Sequence, residues 1–369
     1  MSAAEIIPLA RPSITDAERA AADRALTSGR LVLGPENQRF EAMLAARTGR
    51  AHAVCVSSGT MALELALWAL GVGPGDEVIV TAFGFVAAAN AVRRLGATPV
   101  PADVEPATWN LDPASVAAAI TPRTRGVISI DQLGLCAEAA GLEQVTRAHG
   151  VWLLDDAACG LGSTDSAGVP GGGYGRVAAL SFHPRKVITT GEGGALLTDD
   201  DVLAASLRAL RDHGQRRKGE LVRVGTNGRL GEVAAAIGTA QLDRLEAMLA
   251  ERRLLARGYA QRLAKLVADG RLFLQQPTHG AMHSYQSYAA LLADGCDRDR
   301  ISAALQGAGI ENGPATYAFH RVATYAGPPP IAPASDALHE RSLSLPLYVG
   351  MRSGELDRVC EALASEVGA

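Results

Sequence analysis

The chain has 369 residues, 48% hydrophobic and 20% charged, and its 35 basic and 39 acidic side chains leave a net charge of −4 at neutral pH. Such apolar content excludes a disordered chain, near-neutral charge argues against nucleic-acid binding, and the length suits a large α/β domain with a smaller one. Five cysteines without Cys-x-x-Cys spacing indicate neither a disulfide framework nor a metal site. Glu5 interrupts any leader-like start, and no apolar run approaches the roughly 18 residues of a membrane span. A soluble cytoplasmic protein with small-molecule partners, and neither nucleic acid nor membrane among them, is therefore expected.

In chain order, residues 6–26 read as an extended arm and then a helix, with Thr15 and Glu18 at capping-box spacing. A second helix runs to about residue 48. Strands then alternate with helices: AHAVCV, MALELALWAL, DEVIVTA, VAAANAVRRLG, TPVPAD, DPASVAAAI, RGVISI, EAAGLEQVTRAHG and VWLLDDA. Short apolar runs separated by helices are the pattern of parallel strands buried on both faces. Beyond about residue 200 the rhythm loosens into helices at 199–214 and 232–270, the latter read as one long bridge between domains. A strand in 284–295 and helices in 298–310 and 352–367 suggest a small α+β domain, and 327–333 is a proline-rich loop. The domains are expected at 1–245 and 246–369.

Three fragments carry chemistry. VCVSSGT places Ser58, Gly59 and Thr60 between a strand and a helix, where free amides and hydroxyls can cradle a phosphate or merely cap the helix. VWLLDDAA ends an apolar strand in Asp155 and Asp156, at the sheet edge where ligands bind; the alternative is a capping aspartate beside an exposed one. In ALSFHPRKVITTGEGGALLTDD, Ser181 and Phe182 end a strand, Pro184 bars its continuation, and Lys186 precedes a turn built by Gly191, Gly193 and Gly194. A lysine held on a rigid loop suits imine formation better than a solvated surface charge does. Phosphate cradle, acid and lysine together are what pyridoxal 5′-phosphate (PLP) requires: the acid holds the ring nitrogen protonated, and the lysine attaches the cofactor and shuttles protons.

RPSI, VSSGTxALxLAL, GPGDEVIV, DDAA, SFHPxK, TTGEGGALLT, NxRxxEVxAAIG and SLPL together resemble the DegT/DnrJ/EryC1/StrS family, over Ile7 to about Arg358. The resemblance implies a fold-type I PLP-dependent transferase: a large domain with a mainly parallel seven-stranded sheet between helices, and a small α+β C-terminal domain. It puts PLP on Lys186 and the ring-nitrogen partner on Asp156. Phosphate contacts fall on Ser58, Gly59, Thr60 and Ser181, ring stacking on Phe85, and a phosphate contact from the neighbouring subunit on Asn227, hence a homodimer with shared sites. The implied activity is ping-pong amination of a keto group on a nucleotide-linked deoxysugar, with glutamate as donor and pyridoxamine 5′-phosphate as the intermediate cofactor form.

Some positions depart from the family pattern. Cys159 stands where Gln or His usually approaches the cofactor's phenolic oxygen, and a small inert cysteine is the reading preferred to a redox role. Arg30, Val32 and Leu33 replace an aromatic residue and threonines, and Asp131, Gln132 and Leu133 replace a His-Leu-Tyr pattern. Substrate candidates are His183, Arg229, Tyr317 and His320, the last weighed against a packed structural histidine. A keto-cyclitol aminotransferase would share every cofactor residue. A sugar dehydratase, which has histidine at the lysine position, and a PLP-binding regulator are the remoter alternatives.

Overall fold

A computed structural model describes residues 6–325 and 332–368. The start of the chain with Glu5 lies outside the described residues, as does the proline-rich loop except Ala332 and Pro333. Helices α1 (Asp16–Thr27) and α2 (Pro35–Thr48) precede β1 (His52–Val56), α3 (Gly59–Ala69), β2 (Glu77–Thr81), α4 (Ala87–Arg94), β3 (Thr98–Ala102) and α5 (Pro113–Ala119). Then come β4 (Thr124–Ile130), α6 (Ala139–Ala148), β5 (Trp152–Asp156), β6 (Val177–Ser181), β7 (Gly194–Thr198) and α7 (Asp201–Leu210). A hairpin of β8 (Gln215–Arg217) and β9 (Glu220–Leu221) leads to α8 (Glu232–Asp243) and α9 (Leu245–Ala268). The remainder is β10 (Leu272–Leu274), β11 (Tyr288–Leu292), α10 (Arg298–Gly307), α11 (Pro333–Arg341), β12 (Ser342–Leu345) and α12 (Ser353–Gly368).

Seven strands form the main sheet in the order β1-β7-β6-β5-β4-β2-β3, with β7 antiparallel to both neighbours and the other adjacent pairs parallel. Period-two alternation distributes each strand between two cores: Val78 and Val80 pack with Leu63, Leu67 and Val92 on one face, while Ile79 packs with Val116 and Leu142 on the other. Helices on both faces explain why the strands are apolar throughout. The parallel strands β2, β4, β5 and β6 therefore present their C-terminal ends along one edge, where residues 82–85, 131–134, 157–160 and 182–186 follow.

The three-stranded antiparallel sheet β10-β11-β12 packs with α9, α10 and α12 around Tyr259, Leu263, Ile301, Tyr348 and Leu363. The first half of α9 serves the other core through Leu245, Met248 and Leu249. The helical stretch expected to be continuous breaks at Arg244, whose side chain donates to Glu18 at 2.6 Å and to Ser13 Oγ at 2.9 Å. Glu18 and Thr15 form the expected capping box on α1, so this cap and the helix break share one carboxylate. Ile7 reaches the small-domain core, exchanging backbone hydrogen bonds with Gly309 and Glu311 at 2.9 Å each. Buried Arg252 donates to the carbonyls of Tyr285, Gln286 and Leu347, tying α9 to the small-domain strands.

Candidate active site

Asp156 is the last residue of β5 and is buried, with one oxygen accepting from the Ala158 amide at 3.2 Å. Burial raises its pKa to about 6, against the opposing pull of the Lys186 charge and the Ala158 amide. Neither aspartate of the pair caps a helix or reaches solvent. Lys186 follows a tight turn in which its amide donates to the His183 carbonyl at 2.8 Å, and its Nζ donates to Cys159 Sγ at 3.2 Å. Cys159 is half-buried and thus lines the space shared by the acid and the lysine.

Ser58 caps α3, accepting from the Met61 amide at 3.0 Å. The cap leaves the first-turn amides of Gly59 and Thr60 without intrahelical acceptors, and the Thr60 side chain lies on an exposed residue. Glycine is required here by proximity: a Cβ on Gly59 would lie 2.8 Å from Ser181 Cβ, and one on Gly194 would lie 2.5 Å from the Ser58 carbonyl carbon. The end of β6, the start of β7 and the α3 N-terminus therefore meet at one point, which brings Ser58, Gly59, Thr60 and Ser181 together in the geometry an anion-binding cradle needs. Gly191 adopts φ +85°, which serves the turn between Lys186 and β7.

Phe85 is 63% exposed and Tyr317 41%, with ring centroids 6.4 Å apart; the Gly84 amide donates to the Tyr317 carbonyl at 2.8 Å. These two rings form a wall at the end of β2. His183 turns back on its own loop, accepting at Nδ1 from the Arg185 amide at 3.2 Å. His320 is buried and meets Asp336 at 3.0 Å, pointing to α11. Arg229 pairs with Asp212 at 2.6 Å while its backbone bridges to Val56, two residues before Ser58. Asn227 is exposed.

The sheet order brings in groups that the linear pattern did not single out together. Ile130 is in register with Asp156 and Ser129 with Asp155, so Asp131 follows directly beside the two acids, and its amide donates to the Asp156 carbonyl at 3.2 Å. Tyr174 Oη lies 2.9 Å from Ser129 Oγ and 3.5 Å from Asp131 Oδ1. Burial drives the pKa values of Asp131, Asp155 and Tyr174 upward. The strand-end position of Asp131 after RGVISI was the available sequence signal; Tyr174, in a glycine-rich loop, had none.

A phosphate cradle, a buried carboxylate and a lysine amine along one sheet edge fit PLP. The model of the DegT/DnrJ/EryC1/StrS aminotransferase family matches residues 12–364. The chain belongs to that family. It is 38% identical over 329 residues to a GDP-perosamine synthase of Caulobacter vibrioides, covering 88% of each chain. It is 34% identical to a UDP-2-acetamido-2-deoxy-3-oxo-D-glucuronate aminotransferase of Pseudomonas aeruginosa, covering 95% of this chain and 96% of the relative. The crystal structure of S. venezuelae DesV in complex with a ketimine intermediate superposes with TM-score 0.91, at 34% identity and 99% coverage of both chains. The chain is accordingly a PLP-dependent aminotransferase with the fold-type I architecture. Among the described residues no cluster of His, Cys, Asp and Glu could hold a metal ion, and no helix is long and apolar enough to cross a membrane.

Proposed function

We propose that this aminotransferase converts a keto group on a nucleotide-linked deoxysugar to an amine in cytoplasmic amino-sugar biosynthesis, with glutamate as donor. The observation that carries the reading is the convergence of Lys186, Asp156 and the Ser58–Ser181 cradle at one sheet edge, beside the exposed aromatic wall of Phe85 and Tyr317. The two curated relatives, named for a GDP-linked and a UDP-linked sugar, support the substrate class.

PLP, when bound, supplies an electron-accepting ring that carries the amino group from donor to acceptor. The α3 amides and the hydroxyls of Ser58, Thr60 and Ser181 would hold its phosphate, Asp156 would keep its ring nitrogen charged, and Phe85 would stack on the ring. Lys186 Nζ takes the proton from the donor carbon and returns it to the acceptor, with Cys159 beside it. His183 and Tyr317 flank the sugar and Arg229 meets the diphosphate, whereas His320, buried against Asp336, is the packed structural histidine and not a substrate contact. A homodimer completes the site through Asn227 of the second copy. The exposed Asn227, Phe85, Leu221 and Val224 are surfaces such a partner would cover.

The test loads the enzyme with the aminated cofactor and follows its conversion back to PLP by absorbance against a panel of nucleotide-linked ketosugars and keto-cyclitols. Conversion by ketosugars and not by cyclitols is expected. Reaction with a cyclitol alone overturns the sugar assignment, and reaction with neither overturns both.

A further inference from the structure

Three carboxylates crowd the floor of the site. Asp131 and Asp155 are 0% exposed and Asp156 is 6% exposed. Asp131 Oδ1 accepts from the Ala137 amide at 2.9 Å, and Asp155 Oδ2 accepts from the Gly172 amide at 2.9 Å. The second oxygens, Asp131 Oδ2 and Asp155 Oδ1, are buried without a hydrogen-bond partner among the described residues. Asp131 Oδ2 points at Gly160, where an added Cβ would lie 2.0 Å away, so no larger residue fits between it and the loop carrying Cys159. Tyr174 Oη lies between Asp131 and the β4 hydroxyl of Ser129.

Adjacent buried carboxylates cannot all ionise, because each charge is desolvated and repelled by the next. Of the three, Asp156 alone has the Lys186 charge acting on it. The other titratable groups facing Asp131 are Cys136 and Tyr174, both pushed up by burial and hence neutral, with Asp165 acting on Cys136. We propose that Asp131 is a positioning residue that, like its buried neighbour Asp155, stays protonated up to neutral pH, so that Asp156, beside Lys186, is the one charged carboxylate in the floor. A neutral Asp131 matters for turnover because a second negative charge there opposes the build-up of electron density against Asp156 during proton abstraction. The idea deepens the PLP reading of Asp156 and rests on it for its catalytic consequence alone.

The proposal is tested by difference infrared spectroscopy of the full-length protein with and without PLP, following the carbonyl stretch of protonated carboxyl groups. At pH 6, where ordinary carboxylates have lost their protons, the wild-type protein is expected to retain this band. Asp131→Asn should diminish it, and Tyr174→Phe should shift its disappearance to higher pH, because the tyrosine hydrogen bond favours the ionised acid. Absence of the band in wild type, or an unchanged titration in Asp131→Asn, overturns the assignment regardless of what the enzyme catalyses. In the loaded enzyme, kcat should fall as pH rises through this ionisation, and the fall should be missing in Asp131→Asn. A fall of equal size in the variant overturns the positioning role. Loss of the visible absorbance of bound PLP in Lys186→Ala is the separate check on the cofactor reading.

Discussion

The Lys186 amine donates to the Cys159 thiol across 3.2 Å. A thiol is a weak partner, so it orients the amine without competing with its chemistry. Cys159→Ala should therefore lower kcat by less than about tenfold, since a neutral hydrogen bond contributes only about 1 kcal/mol. Lys186→Ala should remove the visible absorbance of bound cofactor and cost on the order of 10²–10⁴-fold in rate or more. Stopped-flow half-reactions with glutamate measure both, and equal losses would show that Cys159 does more than orient.

Asp156→Asn keeps the size and the Ala158 contact but cannot carry the charge. The variant should bind PLP through the phosphate cradle while losing on the order of 10²–10⁴-fold in kcat. Equilibrium dialysis and steady-state kinetics separate the two effects, and wild-type turnover would contradict the electrostatic role.

Gly59→Ala tests the cradle. Its methyl would press on Ser181 at 2.8 Å, and overpacking of this kind costs about 1–3 kcal/mol. PLP affinity should fall by more than tenfold while circular dichroism stays native. Gly191→Ala, at φ +85° with nothing near the added carbon, should cost only about 1 kcal/mol in urea unfolding.

Glu18 provides a pH prediction for the fold. Burial raises its pKa, but bonds from Thr15, Arg244 and Gln241 outweigh burial and bring it down to about 2. A folded-state pKa below the unfolded one stabilises the protein above the ordinary carboxylate range, and that stability is lost as pH falls from about 4.5 through about 2. Glu18→Gln should lower stability by ~2 kcal/mol at pH 7, with the difference from wild type shrinking below pH 4 in chemical denaturation.

The proposed shared-site homodimer makes a mixing prediction. Lys186→Ala and Asn227→Ala should each be inactive, yet co-refolded together they should recover roughly a quarter of wild-type activity, because half of the dimers then hold one intact site. No recovery would place Asn227 in its own subunit's site or outside it.

The βα rhythm of the large sheet was legible because its strands are buried on both faces and read as unbroken apolar runs. The three-residue β10, the polar hairpin β8–β9 and the SLSL strand β12 were not, since each is defined by a partner strand rather than by its own pattern. The break at Arg244 was also hidden: no Gly or Pro marks it, and the carboxylate that Arg244 meets there, Glu18, is distant in sequence. In the site, Lys186, Asp156 and Ser58 stood out because their flanks are local motifs. The contact of Asp131 and Tyr174 with that centre depends on strand register, which one linear pattern does not encode.

Ile7 ties the N-terminal arm to the small domain. It is synthesised before every other member of the core it joins, which is assembled from Leu255 to Val367. The small domain therefore waits for its last helix and keeps an open slot until the first segment returns to fill it. Synthesis and folding are thus stitched into a loop, and cutting the arm away should leave a small domain that forms late and sticks to its neighbours.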